Sequence, residues 1–157
     1  EIGEIAVKTC LRCASYYGMP EKMAEVTVDG FFRTGDLGRL DEDGYLYFAG
    51  RKKELIITGG VNVYPQDVEN KLLTLPAVKE CAAFPYADER LGEVVAVAIV
   101  QKEEMTITKR EVQIFCARNL ADFQQPHKIF FLNELPKNAM GKLTKMKLPE
   151  IVAGMEG

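Results

Sequence analysis

The residues with the clearest capacity for chemistry lie near the C-terminus, in the segment Pro136-Lys137-Asn138-Ala139-Met140-Gly141-Lys142. Lysine carries an ammonium group on a long flexible stem, and the preceding glycine has no Cβ to obstruct an approaching molecule. Lys142 can therefore place a positive charge beside a phosphate or a carboxylate. Taken alone, a Gly-Lys pair is more often a surface turn with a solvated lysine. Whether Lys142 has a chemical role therefore depends on the residues that accompany it.

Three further positions could serve the same kind of ligand. Asp36 follows a glycine in a predicted turn, where its carboxylate can accept two hydrogen bonds from a ribose diol, as in dinucleotide-binding folds. Arg51 is a fork-shaped donor that suits ribose oxygens or a phosphate. Gly59-Gly60 is either a hairpin turn or a place where a narrow ligand passes the backbone. Asp36 and Arg51 also have ordinary alternatives, an Asx-turn and a surface charge.

The first third of the chain has the patterning of β-structure. Glu1 to Lys8 alternate polar and apolar side chains from the first residue, with no initiator methionine, which predicts a piece of a longer protein. A short helix is predicted at Pro20-Glu25, and Asp41-Gly44 is a predicted turn before an aromatic strand. The charged segment Gly50-Glu54 interrupts two apolar strands. Residues 1–52 are therefore predicted to be β-rich, with a boundary before residue 53.

From residue 53 to 157 helices alternate with strands. Pro65 opens one predicted helix, and Thr108 with Glu111 forms a capping box for a second. The inner side of this second helix is predicted from its apolar residues: Val112, Ile114, Phe115 and Leu120. Three strands lie between and after these helices. The pattern predicts an α+β fold in which helices pack on a sheet of about three strands.

Composition excludes several classes of function. The net charge is −3, and the 20 basic residues are spread along the chain, which argues against a nucleic-acid partner. No apolar run is long enough for a transmembrane segment, so we expect a cytoplasmic location. Cys10 and Cys13 have the spacing of half a zinc site, but nothing completes it, and we predict no metal site and reduced thiols. The lone His127 is predicted to be a surface or strand-edge residue.

Several motifs occur together in a fixed order. They are Gly3-Glu4-Ile5, Thr34-Gly35-Asp36-Leu37-Gly38, Asp43-Gly44-Tyr45, Gly50-Arg51-Lys52-Lys53-Glu54-Leu55-Ile56-Ile57, Gly59-Gly60-Val61-Asn62-Val63-Tyr64-Pro65, Val68-Glu69 and Pro136 through Lys142. In this order they resemble the C-terminal third of the adenylate-forming acyl-CoA synthetases. The resemblance runs from residue 1 to about residue 150. This superfamily also contains firefly luciferase and the adenylation domains of peptide synthetases.

The resemblance implies a role for each candidate residue. Asp36 and Arg51 match the residues that bind the ribose and nucleotide of ATP and of the acyl-adenylate. Lys142 matches the lysine that reaches the carboxylate and α-phosphate during adenylation. Lys53 matches the hinge about which a small C-terminal lid domain rotates between two half-reactions. Gly59, with Gly60 beside it, matches the glycine of the tunnel through which the thiol of CoA reaches the adenylate.

The resemblance also implies what the chain lacks. Residues 1–52 correspond to the end of a large AMP-binding domain, and residues 53–157 to the mobile lid. The N-terminal part of that large domain is the expected partner, with ATP, Mg²⁺, CoA and a small carboxylic acid as ligands. We expect an AMP-forming acid–thiol ligase that is inactive as this fragment. Fatty and aryl acids both stay open as substrates, because the pocket that selects the acid belongs to the large domain.

Two other functions stay open from the sequence. An adenylation domain that loads a carrier protein would share most of these motifs, although Gly59 through Pro65 looks more like the acyl-CoA ligases. A non-catalytic interaction module with the same fold is the alternative from another class. The presence together of Asp36, Arg51, Gly59 and Lys142 argues against it, because a lapsed site has no physical reason to keep all four.

Overall fold

The computed structural model describes residues 1–10, 15–19 and 21–155, and it divides into two compact units. The first unit is Glu1–Lys53, and the second unit begins at Glu54. The described elements, in chain order, are β1 (Gly3–Val7), α1 (Glu21–Glu25), β2 (Thr27–Val28), β3 (Phe31–Leu40), β4 (Leu46–Arg51), β5 (Ile56–Thr58), β6 (Val61–Val63), α2 (Pro65–Leu72), β7 (Val78–Asp88), β8 (Gly92–Gln101), α3 (Lys109–Asn119), β9 (Lys128–Phe131) and α4 (Leu148–Ala153), with short 3₁₀ turns at Lys52–Glu54, Asp122–Gln124 and Lys145–Lys147.

The first unit is an antiparallel sheet built around the long strand β3, which pairs with β1, β2 and β4. Among its described residues, Met23 and Leu37 are the only buried hydrophobic side chains. Large apolar side chains are instead exposed: Leu40, Tyr45, Leu46, Tyr47 and Phe48. A sheet with so little buried surface cannot be stable through its own packing, since apolar burial is the main favourable contribution to folding.

The second unit is organised around the antiparallel hairpin of β7 and β8, with β9 added parallel to β8. The hairpin β5–β6 joins the edge through the pairing of Thr58 with Gly92. One face of this sheet packs against α2 and α3, and the other packs against α4. Because successive strand residues point to opposite faces, burial on both faces requires a continuous apolar run, which is what Val94 to Val100 supply.

The α+β fold is confirmed, and the three strands predicted after residue 65 are β7, β8 and β9, to which the β5–β6 hairpin adds two more strands of the same sheet. Two helix starts predicted from local signals are also present. Pro65 is the first residue of α2, and the Thr108 side chain accepts from the Glu111 N–H while Glu111 accepts from the Thr108 N–H. The inner face of α3 was predicted incorrectly at Ile114, which is 44% exposed, whereas Cys116 is buried. Residues four apart lie on the same face of a helix, so Cys116 shares the buried face of α3 with Val112.

The cysteine and histidine predictions fall partly on described residues. Cys10, Cys81 and Cys116 are free thiols, and Cys13 lies outside the described residues. Burial raises the pKa of Cys81 to about 12 and that of Cys116 to about 11, so both remain protonated thiols. His127 is exposed at the start of β9, where its backbone N–H donates to the Val95 carbonyl.

Neither a membrane-spanning helix nor a metal-binding cluster of side chains is found in the part of the chain that the structure describes. No described helix is long and apolar enough to cross a membrane. No group of three or more His, Cys, Asp or Glu side chains is placed so that it could hold a metal ion within residues 1–10, 15–19 and 21–155.

Candidate functional site

Asp36 and Arg51 lie side by side in the first unit. They are direct cross-strand partners on β3 and β4, and Arg51 Nε is 3.5 Å from Asp36 Oδ1. The carboxylate is 36% exposed and the guanidinium side chain 67% exposed. A long, exposed ion pair of this kind contributes little to stability. Both groups therefore remain available to a ligand that offers hydroxyl groups and negative charge.

The backbone under Asp36 differs from the predicted turn. Asp36 lies within β3, where three residues of β3, 34 to 36, stand opposite the single residue Ile5 of β1. Gly35 adopts a φ of +77°, which a side chain would disfavour. The Thr34 hydroxyl donates to the Ile5 carbonyl at 2.9 Å and accepts from the Asp36 N–H at 3.1 Å. The segment is thus a β-bulge, a feature that commonly redirects a side chain at a functional site.

Glu4 binds two basic side chains in the first unit. It lies in one of the sequence motifs, but no role was predicted for it. Glu4 Oε2 accepts hydrogen bonds from Arg33 Nε at 3.0 Å and from Arg33 Nη2. The same oxygen lies 3.0 Å from Lys52 Nζ. Hydrogen bonds from Arg33 and then from Lys52 lower the pKa of Glu4, so it stays ionised. Lys52 directly precedes the predicted hinge residue Lys53, which is exposed.

Gly59 and Gly60 form the two-residue turn between β5 and β6. Their φ values are +55° and +83°, as tight hairpin turns of this kind require, which agrees with the hairpin alternative left open by the sequence. The Gly59 N–H donates to the Leu91 carbonyl at 3.3 Å, and the turn is exposed. A Cβ on Gly59 would lie 3.4 Å from Leu91 Cδ2, whereas one on Gly60 would meet nothing within 4 Å.

Lys142 lies at the end of a small closed loop in the second unit. The loop base is formed by the Lys137–Leu143 bridge and by the Thr144 N–H, which donates to the Pro136 carbonyl at 2.8 Å. Lys142 is exposed, and no hydrogen bond or ion pair of its side chain occurs within the described residues. Its ammonium group is therefore accessible to solvent, and its role toward an anion stays a prediction.

Lys145, three residues beyond Lys142, takes part in a largely buried network of ion pairs that holds this part of the chain in place. Lys145 Nζ lies 2.8 Å from Glu69 Oε1 and 3.1 Å from Glu54 Oε2, with Lys145 14% and Glu69 8% exposed. Glu69 Oε1 also accepts from the Ala83 N–H at 2.7 Å. Burial raises the pKa of Glu69, and Lys145 opposes this increase. No role was predicted for Lys145 or Glu69, because nothing local in the sequence indicates which distant charges meet.

The Lys142 loop and the glycine turn attach to different parts of β7 and β8. Lys137, at the base of the loop, lies 2.8 Å from Glu80 near the beginning of β7. The glycine turn instead adjoins Gly92, which pairs with Asp88 at the hairpin end of the same strand. Eight residues of extended strand span on the order of 25 Å. The second unit therefore carries an exposed cation and an exposed backbone turn at separate places on one sheet.

Comparison with known proteins identifies this arrangement. Residues 67–142 match the family described as AMP-binding enzyme C-terminal domain. The chain is 36% identical over 148 residues to the long-chain-fatty-acid-CoA ligase FadD13 of Mycobacterium tuberculosis, which covers 94% of this chain and 29% of that protein. It is 40% identical over 153 residues to the 2-succinylbenzoate-CoA ligase of Bacillus cereus, covering 98% of this chain and 31% of that protein.

A solved structure agrees with these relatives. ATP-bound MatB from Rhodopseudomonas palustris superposes with a TM-score of 0.93 at 39% identity, covering 100% of this chain and 31% of that chain. The apo structure of the same protein gives a TM-score of 0.73 over 100% of this chain and 32% of that chain. Residues 67–142 carry the AMP-binding enzyme C-terminal domain, and the comparisons support a C-terminal part of an adenylate-forming acyl-CoA synthetase. It spans about 30% of the length of the relatives it matches.

Proposed function

We propose that this chain is the C-terminal part of a larger AMP-forming acid–thiol ligase that converts a carboxylate, ATP and CoA to acyl-CoA, AMP and pyrophosphate. In the first step a carboxylate oxygen attacks the α-phosphorus of ATP and pyrophosphate leaves. In the second step the CoA thiol attacks the acyl carbon and AMP leaves. The observation that carries the proposal is the exposed ammonium of Lys142 on a closed loop, in a chain whose residues 67–142 match the AMP-binding enzyme C-terminal domain.

Lys142 has the right chemistry for the first step. A carboxylate that approaches a phosphate brings negative charges together, and a preorganised cation stabilises the transition state in which they crowd. Asp36 and Arg51 are proposed to bind the nucleotide, with the carboxylate accepting from the ribose hydroxyls and the guanidinium contacting ribose or phosphate oxygens. Their adjacent positions on β3 and β4 and their exposure support this role.

The second step is proposed to use Gly59 and Gly60, whose exposed turn would let the pantetheine arm of CoA pass close to the backbone. Because this turn and the Lys142 loop occupy separate places on one sheet, a change of orientation between steps would allow each to act in its turn. Lys53 is the proposed hinge. One finding supports it: the two units divide after this residue.

Residues 1–52 are proposed to belong to the large AMP-binding domain, with 53–157 as the lid. The nearly coreless first unit supports this division, since its exposed apolar residues, Leu40 and Tyr45 to Phe48, form a surface suited to a hydrophobic partner. That partner would be the remainder of the same large domain. It would also supply the Mg²⁺ ligands and the acid pocket. The relatives act on different acids, so the substrate is proposed only as a small carboxylic acid.

The proposed function is tested with the full-length protein and a panel of carboxylic acids. We expect pyrophosphate release that requires both ATP and one class of acid, and acyl-CoA formation when CoA is added. The 157-residue chain alone should give neither product. Release of ADP and phosphate in place of AMP and pyrophosphate, or turnover by the isolated chain, would contradict the proposal.

The role of the glycine turn is tested by Gly59→Asn. Asparagine tolerates a φ of +55°, so the turn should survive while a side chain enters the proposed thiol path. We expect thioester formation from a supplied acyl-adenylate to fall about ten- to one-hundredfold, with adenylate formation nearly unchanged. Gly44→Asn is the matched control, because Gly44 is an open turn glycine with a φ of +85°. Equal loss of both half-reactions would argue against a CoA path at Gly59.

A further inference from the structure

Asn138 makes most of the hydrogen bonds that close the Lys142 loop. Its Oδ1 accepts from the Met140 N–H at 3.0 Å and from the Lys142 N–H at 2.9 Å. Its own N–H donates to the Lys142 carbonyl at 2.8 Å, and its carbonyl accepts from the Gly141 N–H at 2.9 Å. Both the N–H and the carbonyl of Lys142 are therefore bonded to this one residue.

We propose that Asn138 is a positioning residue for Lys142: its side-chain amide closes the loop so that the lysine stem leaves the backbone in the direction that adenylate formation requires. This inference rests on the proposed function. The stem of Lys142 is flexible and exposed, so only its origin on the backbone can be fixed in advance. Preorganisation of a charged group is what makes it effective in a transition state.

The rest of the loop does not supply this constraint. The Lys137–Leu143 bridge fixes the base through two backbone hydrogen bonds, Thr144 N–H to the Pro136 carbonyl and Asn138 N–H to the Lys142 carbonyl, but neither of them binds the N–H of Met140 or of Lys142. Met140, at the tip, is 76% exposed, so hydrophobic packing does not hold it. Gly141 has a φ of +77°, a conformation that glycine visits easily and leaves easily. The Asn138 side chain thus provides the specific contacts that select one shape for the tip.

The chemistry of the amide suits a neighbouring catalytic lysine. An asparagine oxygen can accept both N–H groups without carrying a charge. Aspartate could accept the same two hydrogen bonds, but it would place an anion near the ammonium and compete with the proposed substrate phosphate and carboxylate. Alanine would leave the Met140 and Lys142 N–H groups to water. These differences separate the contribution of the hydrogen bonds from that of the charge.

The test uses the full-length protein with Asn138→Ala, Asn138→Asp and Lys142→Ala. Asn119→Ala is the matched control, because Asn119 also bonds to a backbone group four residues away, at the exposed end of α3. The measurements are kcat and KM for pyrophosphate release, the rate of thioester formation from supplied acyl-adenylate, and backbone hydrogen exchange at residues 138 to 143.

We expect Asn138→Ala to lower kcat for pyrophosphate release about tenfold while KM for ATP and acid changes little, because the ground-state contacts lie elsewhere. Thioester formation should be unaffected, and exchange at Met140 and Lys142 should accelerate. Asn138→Asp should keep the slow exchange, and Asn119→Ala should match the unmodified protein in both half-reactions.

Three outcomes overturn the inference, and they are distinguishable. If Lys142→Ala abolishes adenylate formation but Asn138→Ala leaves kcat and the exchange of Lys142 unchanged, the positioning role is wrong and the proposed function stands. If Lys142→Ala itself leaves adenylate formation intact, both are wrong. A tenfold loss in Asn138→Ala that affects both half-reactions equally would also contradict a role confined to Lys142.

Discussion

Replacing Lys142 with alanine in the full-length protein is expected to slow acyl-adenylate formation by about 10²- to 10³-fold, the loss typical when one preorganised electrostatic contact to a transition state is removed. The ammonium is exposed and has no partner within the described residues, so its removal should not disturb the fold. Thioester formation from supplied acyl-adenylate should stay within a few-fold of the unmodified rate. Pyrophosphate release and acyl transfer are measured separately.

Lys147→Ala is the matched control for this experiment. Lys147 is an exposed lysine in the same C-terminal region, in the 3₁₀ turn that follows the loop, and it is given no role in either half-reaction. Its replacement should leave both half-reactions unchanged. A Lys142→Ala variant that lost both half-reactions to the same extent, or that behaved like Lys147→Ala, would contradict the assignment of Lys142 to adenylation.

The second large effect is expected in stability, from Lys145→Met. Methionine fills a similar volume but leaves the buried Glu69 carboxylate with the Ala83 N–H as its one remaining partner among the described residues. Breaking a buried ion pair on one side typically costs about 3 kcal/mol or more. We expect a loss of about this size in the free energy of unfolding. Urea denaturation followed by far-ultraviolet circular dichroism measures it.

Variants at the same pair separate charge from packing. Lys145→Arg keeps the cation and should lose far less stability. Adding Glu69→Gln to Lys145→Met removes the unpaired charge while retaining an acceptor for the Ala83 N–H, so it should recover part of the loss. If Lys145→Met were no less stable than Lys147→Met at an exposed position, the buried pair would not contribute as its burial indicates.

The loss in Lys145→Met should also depend on pH. Burial raises the pKa of Glu69, and removing Lys145 removes a charge that opposes this rise. A carboxyl whose folded-state pKa lies above its unfolded value favours folding while protonated, and that advantage is lost as pH rises through the folded pKa. The difference in unfolding free energy between Lys145→Met and the unmodified chain should therefore shrink as pH falls toward the ordinary range of a glutamate. A difference that grew on acidification would contradict this account.

Much of the fold was predictable because its signals are local. A proline at a helix start and the Thr108 capping box act within one turn of chain, and alternating burial acts within one strand. The error at Ile114 arose because the apolar residues of α3 occur on more than one side of the helix. Packing against the sheet decides which side is buried. The error at Gly35 arose because a positive φ suits a bulge as well as a turn, and only the pairing of β3 with β1 distinguishes them.

The candidate residues could be predicted where they belong to a sequence motif. The ion pairs between residues far apart in sequence could not. Asp36, Arg51 and Lys142 each lie in a recognisable segment. The partners of Lys52 and Lys145 could not be inferred, because charged residues are frequent and a contact between residues 48 positions apart, such as Glu4 with Lys52, depends on the completed fold. The hydrogen bonds of Asn138 are local, and an asparagine within a glycine-containing turn is a signal that sequence reasoning could have used.

The charged contacts on either side of Lys53 have a mechanical consequence. Lys52 is tethered to Glu4 within the first unit, and Glu54 is tethered to Lys145 within the second, while the side chain of Lys53 between them makes no hydrogen bond or ion pair within the described residues. If Lys53 is the hinge, as proposed, these tethers would restrain its two neighbours and leave the rotation to the backbone dihedral angles of Lys53. Because Lys52 is exposed, added salt should weaken its contact with Glu4 more than the less exposed contact of Lys145 with Glu54.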